Sequence, residues 1–99
     1  MTVYLCVQLK IKDRAAYARY EEDFLPVFEK FNGTLLAADF EPKVLDGEWD
    51  KDRIVLLSFP NEEELMAWIT SDEYQAITAN RDSGTDGIAL LFQGIEDPR

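Results

Sequence analysis

The chain has 99 residues, which suffice for one domain and leave no room for a second hydrophobic core. Its 20 acidic and 10 basic residues give a net charge of −10, so its surface repels phosphate backbones and anionic lipids. We therefore expect neither nucleic acid nor a membrane as a partner. The chain contains no histidine, which excludes Ser-His-Asp and Cys-His catalysis and histidine-held haem or zinc.

The remaining composition predicts a cytoplasmic protein without cofactor or metal. Cys6 is the only cysteine, so no internal disulfide can form, and its apolar surroundings predict a buried structural thiol. The N-terminus lacks a basic segment followed by an apolar one, and no apolar run approaches the ~20 residues of a membrane span. No glycine-rich phosphate loop or calcium loop is present. The acidic run 62–64 instead suits a helix N-terminus.

The first half of the chain begins with a strand and a helix. Residues 1–11 alternate apolar and mixed positions, with Val3 and its i+2 neighbours on one face. Asp13 can cap a helix whose apolar stripe has helical spacing. Pro26 predicts a kink in this helix, and Gly33 is expected to end it in the left-handed conformation. The stripe comprises Tyr17, Tyr20, Phe24, Val27, Phe28 and Phe31.

The second half predicts further strands and a broken helical region. Strands are expected at 34–40, 43–45 and 53–59, with a polar loop at 46–52. Asn61 and Ser71 can each cap a short helix, the second running over 72–81. A loop at 83–87, a last strand at 88–93 and a polar tail at 96–99 complete the list of expected elements.

This order predicts an α+β fold of the ferredoxin-like βαββαβ type, with a four-stranded antiparallel sheet, helices on one face and a single domain over 1–99. The strands are apolar on both faces: Ile54 and Leu56 oppose Val55 and Leu57. Helices cover only one of these faces, so we expect a homodimer in which two sheets pack together. The alternative is a monomer whose long loops fold over the sheet.

A set of short motifs carries a family resemblance that extends over roughly residues 4–94. The motifs are Asn32-Gly33-Thr34-Leu35-Leu36-Ala37, Val44-Leu45-Asp46-Gly47-Glu48-Trp49, Arg53, Ser58-Phe59-Pro60, Trp68, Ser71-x-x-Tyr74-Gln75 and Arg81. In these the chain resembles the small bacterial proteins known as domain of unknown function thirteen-thirty. Family members often carry a glycine pair where this chain has Asn32-Gly33, and Glu where it has Asp46.

The resemblance implies a ferredoxin-like protomer of the dimeric α+β barrel superfamily, with two sheets facing each other. It implies no established activity. The wider superfamily includes cofactor-free monooxygenases, haem-degrading enzymes, muconolactone-type enzymes and ligand-sensing domains. The absence of histidine separates this chain from those members that use one.

Two side chains of the last helical segment form a candidate anion site. Tyr74 and Arg81 are spaced i, i+7 and therefore share a helix face. A guanidinium and a phenol together can hold a carboxylate. The alternative is that Arg81 pairs with Asp82, Asp46 or Asp39 and only ties the helix to the sheet.

Asp39 is the candidate catalytic base, because its alternation with Leu35 and Ala37 predicts that it faces an apolar cavity. The alternative is a carboxylate at the end of a strand in solvent or in an ion pair. Trp49, in a polar loop, is either a lid over a ligand or an anchor against the edge strand.

Two hypotheses for function remain open. In the first, a dimer binds a small anionic or aromatic ligand in a pocket between sheet and helices. The pocket would be lined by Tyr17, Trp68 and Tyr74, with Arg53 or Arg81 reading the negative group, although Trp68 and Tyr17 also fit a plain core. In the second, a cofactor-free enzyme uses Asp39 as base and Arg81 as anion anchor.

Overall fold

The computed structural model describes residues 1–95. The polar tail expected at 96–99 lies outside the described residues. The elements follow the order β1 (Val3–Ile11), α1 (Arg14–Phe28), β2 (Thr34–Asp39), β3 (Arg53–Phe59), α2 (Glu62–Ile69), α3 (Asp72–Gly84) and β4 (Thr85–Gln93). The four strands form one antiparallel sheet in the order β2-β3-β1-β4. The βαββαβ order and the broken second helical region are therefore confirmed.

Each helix begins at a residue whose side chain accepts hydrogen bonds from the first turn. The Asp13 carboxylate accepts from the amides of Ala15 and Ala16 at 3.0 and 3.2 Å. Asn61 caps α2 and Ser71 caps α3 through the amide three residues further on. The acidic first turn of α2 complements the positive end of its helix dipole, as expected from the sequence.

The strand register assigns each side chain to one of two sheet faces. Val3, Leu5 and Leu9 are buried under the helices and lie opposite Phe59, Leu57 and Arg53 of β3. We call this side the helix face. Tyr4, Cys6 and Gln8 of β1 and their cross-strand partners lie on the other side, which we call the open face.

The core lies between the helix face and the inner sides of α1, α2 and α3. Trp68 is its centre: it is 2% exposed and its ring lies 5.3 Å from Phe28 and 5.6 Å from Phe59, centroid to centroid. The first strand and the first helix supply most of the other buried side chains. Aromatic contacts therefore join α1 and α2 to the sheet and join α3 to these two helices.

Three local expectations are wrong. Residues 43–45 form no strand and belong to the connection between β2 and β3. The expected loop at 83–87 is instead the end of α3 and the start of β4, since the helix runs to Gly84 and the strand begins at Thr85. Gly33 does not adopt a left-handed conformation; among the described residues only Gly47 has a positive φ, of 81°.

The open face carries a large apolar surface. Ile88, Leu90 and Phe92 of β4 point to this side and are each exposed by about half. Cys6, expected to be buried, is only half-buried there. The indole of Trp49 covers part of the same face, because its Nε1 donates to the Gln8 side chain at 3.0 Å. The loop thus covers part of the surface and leaves the β4 side uncovered.

Candidate functional site

A cavity of about 420 Å³ lies between the helix face and the helices. Its walls are mostly apolar and come from all four strands and all three helices. Two arginines, two carboxylates and three phenols interrupt these apolar walls. The polar lining residues are Tyr17, Tyr20, Glu21, Arg53, Tyr74, Gln75, Thr78, Arg81 and Asp82, and Trp68 also lines the cavity.

Arg53 and residues of α1 form one polar corner of the cavity. Arg53 is the first residue of β3, and its guanidinium donates to the Tyr17 hydroxyl at 3.2 Å and to the Glu21 carboxylate at 2.6 Å. The guanidinium also lies over the Phe40 ring, 4.1 Å from its centroid. The Arg53 side chain is 13% exposed and that of Glu21 is 36% exposed, so the ion pair is partly shielded from water. The charge of Arg53 is therefore compensated locally.

Arg81 and two phenols form the second polar corner. Arg81 donates through Nη1 to the Tyr74 hydroxyl at 2.9 Å, as the i, i+7 spacing on α3 predicts. The Tyr74 hydroxyl shares a further hydrogen bond of 2.8 Å with that of Tyr20 on α1. Arg81 also donates to Asp82 at 3.2 Å, which is one of the pairings that the sequence left open. The network links α3 to α1 across the cavity.

Trp68 forms a wall of the cavity beside Tyr74, with ring centroids 4.4 Å apart. Its indole nitrogen is buried and, among the described residues, has no hydrogen-bond acceptor. A buried polar atom without any partner costs free energy, and this nitrogen is the one such side-chain atom found among the described residues.

Burial dominates the protonation behaviour of the phenols. Desolvation raises the pKa of Tyr20 far above its usual range, and the neighbouring Tyr74 adds to the effect. Desolvation also raises the pKa of Tyr17, although the hydrogen bond from Arg53 opposes it. For Arg81, burial works against the charge, but Tyr74, Tyr20 and Asp82 outweigh it and raise the pKa of the guanidinium. At neutral pH Tyr17 and Tyr20 are therefore neutral, and Arg81 is charged.

A second, smaller cleft of about 310 Å³ adjoins the first beside the start of β4. Five residues belong to both linings: Val7, Leu9, Arg81, Asp82 and Ala89. The Arg81 guanidinium therefore lies where the main cavity meets this cleft.

Two residues predicted for the site lie elsewhere. A β-bulge between Leu35 and Ala37 shifts the register of β2, so Ala38 shares the helix face with Leu35 while Asp39 pairs with Ile54 on the open face. The expectation that Asp39 faces the cavity is therefore wrong. Its carboxylate is exposed and accepts from the Glu41 amide at 2.9 Å. Trp49 is held on the open face by Gln8 and does not line the cavity.

The structure gathers the other five predicted residues around the one cavity: Tyr17, Arg53, Trp68, Tyr74 and Arg81. Sequence reasoning missed Glu21 and Asp82, the two carboxylates of the lining. Glu21 lies four residues after Tyr17 on the same helix face, a spacing that was available as a signal. Asp82 was considered only as a partner of Arg81.

Residues 1–95 lack two kinds of structural feature. They hold no cluster of three or more histidine, cysteine, aspartate or glutamate side chains suited to a metal ion. No helix in that part of the chain is long and apolar enough to span a membrane.

Solved structures share this fold at low sequence identity. A protein of unknown function from Rhodopseudomonas palustris, RPA0582, is 16% identical, with 97% of this chain and 84% of that chain covered and a TM-score of 0.82. SnoaB, a cofactor-independent oxygenase from Streptomyces nogalater, is 11% identical over 98% and 96% of the two chains, with a TM-score of 0.65. A dimeric ferredoxin-like protein of unknown function from Bacteroides fragilis is 14% identical over 94% and 96%, with a TM-score of 0.64.

These neighbours establish the ferredoxin-like α+β fold and, at such identities, no activity. No curated protein matches the chain. One family model does match, and it covers residues 2–95. Because that match takes in nearly the whole sequence, the chain belongs to the family described as Domain of unknown function (DUF1330).

Proposed function

We propose that the protein binds a small anionic or aromatic molecule in the cavity between sheet and helices. The observation that carries the proposal is the convergence of Tyr17, Arg53, Trp68, Tyr74 and Arg81 on one cavity. A volume of about 420 Å³ lies within the range of small-molecule sites, and mostly apolar walls with a few polar groups are typical of them.

A purely structural role is the alternative to ligand binding. In that case the polar contacts of Arg53 and Arg81 only tie α1 and α3 to the sheet. The exposed apolar lining argues against this role, because Leu25 and Leu35 are left 45% and 41% in contact with water that a ligand would displace.

A thermal-shift screen with small aromatic and keto acids tests the proposal. We expect at least one acid to raise the melting temperature of the wild-type protein, because a ligand that binds only the folded state stabilises it. Arg81→Ala should lose this response. Arg19→Ala is the matched control, since Arg19 is an exposed residue of α1 outside the cavity lining. If no acid shifts the wild type, the binding proposal fails.

A second candidate is a cofactor-free enzyme acting on a similar molecule. The donors at the Arg81 corner favour it, because a guanidinium and phenols can stabilise an oxyanion. SnoaB, a protein of the same fold, is described as a cofactor-independent oxygenase. Arg81 keeps the proposed role of anion anchor, and Glu21 is better placed than Asp39 as the base, since it lines the cavity.

Oxygen uptake and product formation with any acid found in the screen test this enzymatic candidate. Glu21→Gln is expected to abolish turnover while leaving binding detectable. Asp39→Asn, on the opposite sheet face, is the matched control and should retain turnover. If Asp39→Asn alone abolishes turnover, the base belongs to the open face, and if no acid is turned over, only binding remains.

We further propose that the protein is a cytoplasmic homodimer. Its two protomers pack through their open faces. The half-exposed side chains of Ile88, Leu90 and Phe92 support this arrangement, because water contact with such a surface is unfavourable. Proteins of the same fold from Bacteroides fragilis and Thermobifida fusca are described as dimeric. In this arrangement Trp49 contributes to the interface rather than to the ligand site.

A further inference from the structure

The wall around Trp68 and Tyr74 has more hydrogen-bond donors than acceptors. The indole Nε1 of Trp68 is buried and finds no acceptor among residues 1–95. Trp68 itself is 2% exposed and lines the cavity. An indole nitrogen can only donate, so a partner for this group must supply an acceptor atom.

The two phenols beside Trp68 leave a further donor unused. Tyr20 and Tyr74 have two hydroxyl protons, and their shared hydrogen bond uses one of them. Arg81 donates to the Tyr74 oxygen, and a guanidinium has no acceptor atom, so it cannot accept a hydrogen bond from the Tyr74 hydroxyl. Whichever phenol donates to the other, one O–H proton has no acceptor among the contacts of the described residues. The wall therefore offers a second unused donor.

The two arginines of the cavity differ in how well their charges are compensated. Arg53 is 13% exposed at the side chain and pairs with Glu21 at 2.6 Å. The partner of Arg81 is Asp82, at 3.2 Å and with a side chain that is 68% exposed. An ion pair with an exposed carboxylate is screened by water and contributes little. An anion in the cavity is therefore attracted to Arg81 more than to Arg53.

We propose that the ligand of this cavity is a flat aromatic carboxylate. Its oxygens would accept from the unused phenol proton beside Arg81 and, after a small displacement of the wall that uncovers the buried Nε1, from the Trp68 indole. Its ring would contact the apolar walls. A single carboxylate supplies two acceptor oxygens and one negative charge, which matches the two unused donors and the incompletely neutralised guanidinium. This inference rests on the proposed function and adds to it the class of the ligand.

The experiment compares cinnamate with its neutral isostere cinnamamide by calorimetric titration. We expect the wild type to bind cinnamate at least about tenfold more tightly, because hydrogen bonds to a charged acceptor are the stronger ones. Arg81→Gln should remove the preference while cinnamamide affinity changes less than about twofold. Arg19→Gln, which makes the same charge change at an exposed position of α1, should retain the preference.

The chain contains two tryptophans, so its two indole N–H resonances report the contact directly. Cinnamate should move the Trp68 indole resonance downfield, and cinnamamide should move it much less. The Trp49 indole is bonded to Gln8 on the open face and serves as the internal control, assigned with Trp49→Phe. This measurement leaves Trp68 unchanged. It therefore does not depend on whether a core variant such as Trp68→Phe can fold.

The possible outcomes separate the two proposals. If cinnamate and cinnamamide bind equally well, or the Trp68 resonance responds to neither, the carboxylate inference is wrong while the binding site stands. If neither compound binds and the wider screen of acids is also negative, the proposed function fails together with the inference. A preference for cinnamate that persists in Arg81→Gln would assign the anion to Arg53 and overturn the placement at Arg81.

Discussion

The hydroxyls of Tyr20 and Tyr74, which are 54 positions apart in the chain, share a hydrogen bond of 2.8 Å inside the protein. Tyr20 belongs to α1 and Tyr74 to α3, so this bond joins two helices. Their rings meet edge to face, with centroids 6.3 Å apart. The same bond positions the donors that we assign to a ligand, so it couples the stability of the fold to the geometry of the site.

Replacing either phenol should destabilise the protein through the hydroxyl that remains. We expect Tyr20→Phe and Tyr74→Phe each to lower the free energy of unfolding by about 1–2 kcal/mol, because a buried hydroxyl or guanidinium is left without its partner. The double variant should cost about 1 kcal/mol less than the sum of the two. Urea denaturation of the four proteins measures this coupling energy.

Tyr17→Phe is the comparison for this cycle, because Tyr17 bonds to Arg53 at the other corner. The effects of Tyr17→Phe and Tyr20→Phe on the free energy of unfolding should be nearly additive, because the hydrogen bond between Tyr20 and Tyr74 does not involve Tyr17. The effects of Tyr20→Phe and Tyr74→Phe should depart further from additivity. Strict additivity between Tyr20→Phe and Tyr74→Phe would contradict the shared hydrogen bond.

The raised pKa of Tyr20 predicts a loss of stability at high pH. In the unfolded chain this phenol ionises near pH 10, whereas in the folded protein burial keeps it protonated to a higher pH. Above about pH 10 the folded state therefore binds more protons than the unfolded state, and the free energy of unfolding falls as pH rises. The contribution is fully present below that pH.

Urea denaturation at about pH 8 and pH 11 tests this dependence. We expect the wild type to lose up to about 1.4 kcal/mol from this one group between the two pH values, because only the part of the window above about pH 10 contributes. Tyr20→Phe should show a shallower decline than Tyr4→Phe, whose ring lies on the open face against Phe92. Equal slopes for the two variants would show that Tyr20 ionises normally in the folded protein.

Much of the fold and most of the site were accessible from local patterns. The helical spacing of Tyr17 and Tyr20 and the i, i+7 spacing of Tyr74 and Arg81 place these side chains on inward faces. The alternation in β1 likewise predicts the buried side of the sheet. These features depend only on the period of one element, so the sequence is enough to predict them.

The misplaced residues depend on information that no single element contains. One bulge in β2 reverses the face on which Asp39 lies, and a two-residue periodicity cannot reveal it. Trp49 lies in a loop whose direction is set by its bond to Gln8, 41 positions away. The Arg53–Glu21 pair likewise requires a strand and a helix to come together. Each outcome depends on tertiary contacts.

Two glycines should respond differently to added side chains. A Cβ at Gly33 would lie 2.5 Å from the Phe28 ring and 2.6 Å from the Phe59 ring, so Gly33→Ala must displace core aromatics. We expect a loss of about 1–3 kcal/mol in the free energy of unfolding. Gly47 has open space around it and a positive φ, so Gly47→Asn should cost less than about 1 kcal/mol.

Thermal and urea unfolding of the two glycine variants provide the measurement. Gly33→Ala should also weaken the near-ultraviolet signal of the aromatic core, whereas Gly47→Asn should leave that signal unchanged. A Gly33→Ala protein as stable as the wild type would mean that Phe28 and Phe59 can move aside without cost.

The proposed dimer predicts a particle of twice the 11.4 kDa chain mass in light scattering at micromolar concentration. Leu90→Asp should shift the protein toward the monomer, because a carboxylate in a sheet-on-sheet interface loses its water without gaining a partner. Leu45→Asp is the matched control: Leu45 is 88% exposed in the connection between β2 and β3, and the same change there should leave the mass unaltered. If the wild type scatters as an 11.4 kDa particle, the apolar open face is tolerated in water and the dimer proposal is wrong. The ligand proposal would survive that result, because every residue assigned to the cavity comes from one protomer.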